Sequence, residues 1–176
     1  MNITIRKENT EDFKIIYDLI KNSFKNAEHS DGTEQDLVNR LRTSESYIPD
    51  LSLVATINDN IVGYIMFTKI TINNENDKYD SLALAPLAVS TDYQGIGIGS
   101  ILVKTGLLSA KELGYESVVV LGSEKYYPRF GFKEALTFDI KAPFDVPNEN
   151  FMAIELNKNS LKNVSGIVIY AKEFFE

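Results

Sequence analysis

Residues 87–100 are Leu87-Ala88-Val89-Ser90-Thr91-Asp92-Tyr93-Gln94-Gly95-Ile96-Gly97-Ile98-Gly99-Ser100, and they carry the most informative pattern in the chain. Its first residues end an apolar run, and the residues that follow Gly99 have the composition of a helix. Three glycines at alternate positions lie between them. The pattern predicts a strand, a glycine loop and a helix in direct succession.

A glycine loop that leads into a helix is suited to bind an anion. The first amides of a helix have no partner within the helix, and the helix macrodipole adds about half a positive charge at that end. Glycines carry no Cβ atom to hold an anion away, and they permit unusual φ values. The stretch therefore predicts a diphosphate site.

Two familiar nucleotide loops do not fit the spacing. A dinucleotide loop has the pattern G-x-G-x-x-G near the start of a β-α-β unit, whereas Gly95, Gly97 and Gly99 give G-x-G-x-G past the middle of the chain. A P-loop needs Lys-Ser/Thr after its last glycine, and here Ser100-Ile101 follows. A glycine-rich turn that only lets the helix pack closely on the sheet stays open as an alternative.

Upstream of the loop, the sequence predicts three strands. Ser81–Val89 is apolar but contains Pro86, which cannot donate to a ladder, so this strand is expected to bulge or splay there. Leu53–Ile57 and Ile61–Ile70 flank Asn58-Asp59-Asn60, a tripeptide that tolerates left-handed backbone. These two strands are expected to form a hairpin.

The N-terminal part predicts a strand and two helices. The strand is Ile3–Arg6, and apolar spacings of three and four place a helix over Glu11–Phe24, with Asn9 or Thr10 as its cap. After a polar loop, Thr33 followed by an acidic residue three positions later is typical of a capping pattern. The second helix is therefore expected to end at Arg42.

Downstream of the loop, strands and helices mix without strict alternation, which indicates an α+β sandwich around a mixed sheet. The predicted elements are a helix to Leu113 that stops at Gly114, a strand Ser117–Leu121, a helical turn Tyr126–Phe130 closed by Gly131, and strands at Phe151–Leu156 and Ile167–Tyr170. The helix face expected to pack in the core consists of Leu102, Gly106, Ala110 and Leu113.

Composition narrows the functional classes. At 176 residues the chain suits one domain, with 44% hydrophobic and 24% charged residues. The absence of cysteine excludes a disulfide framework, a thiolate zinc site and a cysteine nucleophile. With no signal peptide and no membrane-spanning run, we expect a soluble, cytoplasmic protein. A net charge of −7 opposes nucleic-acid binding and mildly favours a cationic amine substrate.

Two motifs resemble a known family. Gln94-x-x-Gly97-x-Gly99 resembles the Q/R-x-x-G-x-G/A signature of the GNAT superfamily of N-acetyltransferases, and residues 127–132, Tyr-Pro-Arg-Phe-Gly-Phe, resemble its Y-x-x-x-G-F segment. The element order is similar over roughly residues 3–156. The resemblance implies an α+β fold, a three-layer α/β/α sandwich with a mixed, mostly antiparallel sheet splayed between strands 4 and 5.

The resemblance also implies acetyl-CoA as the acyl donor. The amides from Gly95 to Ser100 would cradle the CoA pyrophosphate, the edges of Leu87 and Val89 would pair with the pantetheine arm, and an amide near Ala88–Val89 would bind the oxyanion. The implied cofactor-binding residues are Leu87, Ala88, Val89, Gln94, Gly95, Ile96, Gly97, Ile98, Gly99 and Ser100. Since the chain lacks cysteine, direct attack of the amine on the thioester is expected.

Tyr127 aligns with the tyrosine that the family uses as general acid, four residues before Gly131. Proton transfer from a phenol of pKa near 10 to a thiolate of pKa near 8.5 is uphill by roughly 2 kcal/mol, which a general acid tolerates. The alternative is that Tyr127 only packs beside neighbouring aromatic rings. Tyr126 is the next candidate, but one residue on a helical turn changes the direction by about 100°.

No general base is assigned. Leu82–Val89 contains no acidic residue; Asp80 and Asp92 lie at its ends, and Glu124 fits a surface charge better than a base. His29 is the only histidine, and we expect it in a solvent-exposed loop and not in a metal site. The serines lack nucleophile-elbow spacing, so a serine hydrolase has no support.

The sequence thus predicts an enzyme that moves an acetyl group from CoA to a primary amine of a small molecule or a protein, without a metal. Nothing in the sequence identifies the acceptor. The alternative is a module that binds acyl-CoA without turnover. The apolar C-terminal strand, which ends in Phe174-Phe175, leaves a homodimer open.

Overall fold

The computed structural model describes residues 1–176, and all its strands belong to one sheet. The helices are α1 (Phe13–Phe24), α2 (Glu34–Arg42) and α3 (Ile98–Glu112). The strands are β1 (Ile3–Lys7), β2 (Tyr47–Ile57), β3 (Asn60–Asn73), β4 (Lys78–Val89), β5 (Ser117–Leu121), β6 (Lys133–Glu134), β7 (Ile140–Lys141), β8 (Phe151–Glu155) and β9 (Gly166–Ile169).

The sheet is mixed and mostly antiparallel. Its order is β1-β2-β3-β4-β5-β8-β6, with β9 paired to the end of β3 and β7 paired to β9. Only the β4–β5 and β7–β9 pairs are parallel. The predicted sheet type is confirmed, but the two-residue strands β6 and β7 were missed because they are too short to show a period of two.

Helices cover both faces of the sheet. Alternate residues of a strand point to opposite faces, so Val54 and Tyr64 pack in one cluster with α1 and α2, while Leu53 and Ile65 pack in another with α3. This arrangement confirms the α/β/α sandwich.

The predicted hairpin and bulge are both present. Asn58 and Asp59 have φ values of 49° and 65°, the left-handed backbone of a tight turn between β2 and β3. Near Pro86 the β3–β4 register shifts. Strands β2 and β3 are longer than predicted, and the residues around Pro49 fall within a register irregularity of β2.

The helix signals were mostly, but not wholly, correct. Asn9 and Asp12 form a capping box around a short 3-10 helix that leads into α1. The Asp12 carboxylate accepts a bond from the Asn9 amide at 2.8 Å, and the Asn9 side-chain oxygen accepts one from the Glu11 amide at 3.0 Å. Thr33 precedes α2 as predicted, but its side chain does not cap it: the hydroxyl donates to the Asp31 carboxylate at 2.7 Å. A cap requires the hydroxyl oxygen to accept a bond from an amide of the first helical turn, and no such bond forms here.

Helix α3 packs closely on the sheet through Gly106. A Cβ atom on this residue would lie 2.6 Å from Cζ of Phe67, a side chain with no exposed surface. Leu102 and Ala110 are fully buried on the same face, as predicted. The prediction for Leu113 was wrong: it is 45% exposed, because it follows Glu112, the last residue of α3.

A buried charged network fixes α2 to the sheet. The Arg42 guanidinium lies 2.8 Å from the Glu8 carboxylate, and their side chains are only 6% and 1% exposed. The hydroxyls of Tyr47 and Ser52 each donate to the same carboxylate at 2.7 Å. Both oxygens of Glu8 are thus bonded, which is what a buried charge requires.

None of the three helices combines the length and the apolar character that crossing a membrane demands.

Candidate active site

The glycine loop connects the end of β4 to the start of α3 through left-handed backbone. Gly95 has φ 79° and Gly97 has φ 94°, values that disfavour any residue with a Cβ atom. Gly97 is the N-cap residue of α3 and offers no side chain to its first turn. The loop therefore turns sharply, and no side chain caps the N-terminal end of α3, which we call the bare helix end.

Six consecutive amides at this turn lack a partner in the protein. No main-chain or side-chain acceptor is bonded to the amides of residues 95–100, and the first bond of the helix runs from the Ile101 amide to the Gly97 carbonyl at 3.1 Å. These amides meet the positive end of the α3 dipole. The arrangement can bind an anion of at least two phosphate groups.

The Gln94 side chain closes the loop. Its amide nitrogen donates to the Val89 carbonyl at 3.0 Å, and the Ser23 hydroxyl reaches the same oxygen at 3.1 Å. The position of Ser23 on α1 could not be linked to this loop from the sequence, because 66 residues separate it from Val89. Gln94 thus holds the turn in shape with its side chain.

A cavity of about 360 Å³, the loop cavity, lies over the bare helix end. Arg129 is the one charged residue that lines it. Its guanidinium lies 4.5 Å from the centre of the Tyr126 ring, and its Nε donates to the Tyr126 carbonyl at 2.9 Å. The Tyr126 hydroxyl lies so close to Gly99 that a Cβ atom there would be 2.7 Å from it. Apart from its place in the motif, nothing in the sequence marked Arg129 as a residue of the site.

Strands β4 and β5 separate next to this cavity. They pair only through Leu82 with Val118 and Ala83 with Val119, after which β4 continues along β3 alone. The Val89 carbonyl points away from β3, since it accepts the Gln94 and Ser23 bonds. Leu87, two residues earlier, presents its main-chain groups on the same open edge. The main-chain amide and carbonyl of Ala88 face β3 instead.

A second cavity, the splay cavity, fills the gap between β4 and β5 and measures about 580 Å³. Leu87 and Tyr126 line both cavities, so the two spaces adjoin. Tyr127 lines the splay cavity only. The opening of the sheet therefore connects the bare helix end to a space of the size that small-molecule sites occupy.

Tyr127 packs tightly at the end of β5. Its ring makes edge contacts with the rings of Tyr126 and Phe132, at centroid distances of 5.1 and 5.7 Å. A Cβ atom on Gly122 would lie 2.9 Å from Cδ2 of the Tyr127 ring, so this glycine makes room for it. Burial raises the pKa of Tyr127 far above its ordinary value, with a smaller contribution from Tyr126. The phenol therefore keeps its proton at neutral pH.

Glu34, the first residue of α2, is the only charged residue that lines the splay cavity. Its Oε2 is buried and has no hydrogen-bond partner. The sequence did not single it out, because glutamate in the first turn of a helix is common on any protein surface. Only the packing of α2 against α1 and against the C-terminal turn, Lys172–Phe175, reveals its place.

The acidic residues considered from the sequence lie elsewhere. Glu124 is exposed and accepts a bond from Asn150 at 2.8 Å; a backbone hydrogen bond and then this one lower its pKa. Asp80 and Asp92 are exposed and do not line the splay cavity. His29 is exposed, as expected, and the chain holds no cluster of three residues that could bind a metal ion.

Comparison with known proteins identifies the family. Residues 13–132 match the model of the acetyltransferase (GNAT) family, which is more than half of the chain. The chain belongs to the GNAT family of acetyltransferases. This confirms the resemblance inferred from the two motifs, and with it the enzyme class, an acyltransferase.

Two bacterial relatives are similar in sequence. The uncharacterized N-acetyltransferase YhbS of Escherichia coli K12 is 35% identical over 142 residues, 80% of this chain and 83% of YhbS. The uncharacterized N-acetyltransferase YjhQ of the same strain is 42% identical over 118 residues, 66% of this chain and 65% of YjhQ. The match to YjhQ thus covers less than two thirds of its length.

Solved GNAT structures share the fold. The crystal structure of YhbS from Escherichia coli in complex with CoA has a TM-score of 0.89 at 32% identity, and covers 100% of this chain and 93% of YhbS. A GNAT family acetyltransferase from Brucella melitensis in complex with acetyl-CoA has a TM-score of 0.80 at 27% identity, with 98% of both chains covered. The predicted GNAT fold is confirmed.

Proposed function

We propose that this protein transfers the acetyl group of acetyl-CoA to a primary amine by direct attack. The observation that carries the proposal is the run of six unpartnered amides, residues 95–100, which opens toward the gap between β4 and β5. Two structures with the same fold were solved with CoA and with acetyl-CoA, which supports this choice of donor.

The donor would lie along the path that the two cavities define. Its pyrophosphate would accept hydrogen bonds from the amides of residues 95–100, next to the positive charge of Arg129. Its pantetheine arm would run along the open edge of β4 at Leu87 and Val89. The thioester would then enter the splay cavity beside Tyr127.

The amine nitrogen would attack the thioester carbonyl carbon. A C–N bond forms, the negative charge moves to the carbonyl oxygen, and the C–S bond then breaks. Leu87 presents its amide on the open edge and can stabilise the oxyanion, whereas the Ala88 amide faces β3. Tyr127 would give its proton to the departing thiolate, and the amine loses its excess proton to water or a base.

The protonation of Tyr127 suits this role. Because burial raises its pKa, the phenol remains neutral over the whole physiological range. A neutral phenol has a proton to donate, but the same rise in pKa makes Tyr127 a weaker acid than a free phenol, so the transfer would require direct contact between the hydroxyl and the departing sulfur. Activity at alkaline pH should therefore not fall through loss of this proton.

The test combines calorimetric titration with acetyl-CoA and an assay of thiol release with primary amines. We expect one donor site per chain and amine-dependent release of CoA. Tyr127→Phe should lower kcat by about 100-fold, because general acids contribute that much or more, while the acetyl-CoA Kd changes little.

Three outcomes separate the possibilities. No binding of acetyl-CoA would contradict the donor. Binding without thiol release would favour the module that binds acyl-CoA without turnover. Release with an unchanged kcat in Tyr127→Phe would remove only the role of Tyr127.

A single domain, a cytoplasmic location and a homodimer stay predictions.

A further inference from the structure

Resting on the proposed function, we infer the chemical class of the acceptor: a small primary amine with an aromatic or alkyl body, whose ammonium group binds to Glu34. The splay cavity carries this inference through its lining, its one carboxylate and its size. No sequence motif pointed to it.

The lining of the cavity is apolar and aromatic away from the donor path. Phe24 and Leu37 line it from the helix side, and Phe144, Tyr170 and Phe174 line it from the C-terminal third of the chain. Such a wall gains free energy by removing apolar surface of a ligand from water. A polyamine or a sugar amine would leave its polar groups without partners there.

The aromatic wall has a flat, stacked part. The rings of Phe144 and Tyr170 lie 5.9 Å apart with an angle of 22° between their planes, and the Phe174 ring lies 5.0 Å from Tyr170. Phe144 is 38% exposed, so part of this surface is open to a ligand. Stacked rings can receive the face of an aromatic ring or a cation beside it.

Glu34 supplies the polar end of the site. It is the only charged side chain in the lining, and its buried Oε2 has no hydrogen-bond partner in the protein. A buried acceptor without a partner costs free energy, which an ammonium donor would remove. The net charge of −7 also favours the approach of a cation.

The volume limits the acceptor. The cavity of about 580 Å³ must hold the reactive end of the donor as well as the amine. It lies within the range of small-molecule sites and has no room for a folded partner. The site therefore suits an amine with one charged end and a short apolar body.

Glu34 also completes the proton balance. An ammonium ion that becomes an amide loses two protons. One would pass to Glu34 and on to water before the attack. The other leaves the nitrogen after the C–N bond forms and restores the proton that Tyr127 gives to the thiolate.

The experiment measures thiol release from acetyl-CoA with ethylamine, butylamine, hexylamine, 2-phenylethylamine, spermidine and a lysine-containing peptide. We expect kcat/KM to rise about fourfold per added methylene along the alkyl series, as burial of a methylene predicts. 2-Phenylethylamine should exceed ethylamine strongly, and spermidine should fall below hexylamine.

Glu34→Gln keeps the shape of the side chain and removes the charge. We expect kcat/KM for hexylamine to fall at least about tenfold, the loss of one charge-assisted bond, and the pH optimum to move toward the pKa of the free amine. The acetyl-CoA Kd should stay the same. Glu112→Gln, an equal charge change at an exposed residue of α3, is the matched control and should change neither.

The outcomes keep the two proposals apart. Equal rates along the alkyl series, or a preference for spermidine or the peptide, would overturn the acceptor class and leave the transferase intact. An unchanged pH profile in Glu34→Gln would overturn the role of Glu34. Acetyl-CoA binding without release by any amine would overturn the proposed function as well.

Discussion

The loop cavity and the splay cavity adjoin, but main-chain groups form the first and side chains form the second. The loop cavity depends on main-chain amides from one contiguous stretch, residues 95–100. The splay cavity depends on side chains from α1, α2, β4, β5 and the C-terminal segment. A site made of backbone leaves a motif in the sequence, because only glycine permits its geometry, whereas a site made of scattered side chains leaves none.

The difference extends to what holds each cavity in place. The glycine loop is fixed locally by the Gln94 bond to Val89 and by the start of α3. The wall that carries Glu34 is held from afar by the buried pair of Arg42 and Glu8 at the other end of α2. Damage to that pair should therefore affect the acceptor side first.

The largest effect is expected from Arg42→Met. It leaves the Glu8 carboxylate buried without its cation, which lowers the free energy of unfolding by about 3 kcal/mol or more. For a chain of this size the melting temperature should fall by roughly 6–12 °C, measured by calorimetry. In the protein that remains folded, the amine KM should rise while the acetyl-CoA Kd changes little.

Lys14→Met is the control for this change. Lys14 forms an ion pair with Asp18 on the exposed face of α1, and such pairs contribute at most about 1 kcal/mol. If Arg42→Met proved no more destabilising than Lys14→Met, the buried network would not anchor α2.

A smaller effect is expected at the boundary of the two cavities. Gly122→Ala introduces a methyl group against the Tyr127 ring, which cannot move far because it is packed against Tyr126 and Phe132. A displaced acid should lower kcat by about 100-fold, with the acetyl-CoA Kd nearly unchanged. Steady-state kinetics and calorimetry measure the two quantities.

The double variant Gly122→Ala/Tyr127→Phe tests the cause. If both changes act through the Tyr127 hydroxyl, the second should add little to the first. Full additivity of the two losses would mean that Gly122 matters for another reason.

The smallest effect is expected at the helix end. Gly99→Ala places a methyl group against the Tyr126 hydroxyl, which must move toward the bare amides. The acetyl-CoA Kd should rise about tenfold, or about 1.4 kcal/mol. The double variant Gly99→Ala/Tyr126→Phe lacks the Tyr126 hydroxyl oxygen and should recover part of the affinity for acetyl-CoA. If the affinity did not recover, a clash with this hydroxyl would not be the cause of the loss.

The sequence predicted most of the fold correctly. The spacing of apolar residues located α1, apolar runs located β4 and β5, and the glycine loop together with Gly114 located α3. The turn at Asn58-Asp59 located one hairpin. It misplaced Leu113 in the core and gave Thr33 a capping role, because periodicity and spacing do not report which helix residues the sheet covers or whether a hydroxyl accepts a bond from the helix. Strands β6 and β7 exist only through their pairing with β8 and β9.

The candidate site also has one part that the sequence predicted and one part that it did not. The sequence alone was enough to predict the glycine loop at the start of α3 and the family, since a glycine loop before a helix constrains main-chain geometry locally. That Glu34 lines the splay cavity together with Tyr170 and Phe174 follows only from how the whole chain packs. Contacts between residues far apart in the chain depend on packing, and one sequence carries no local signal for them.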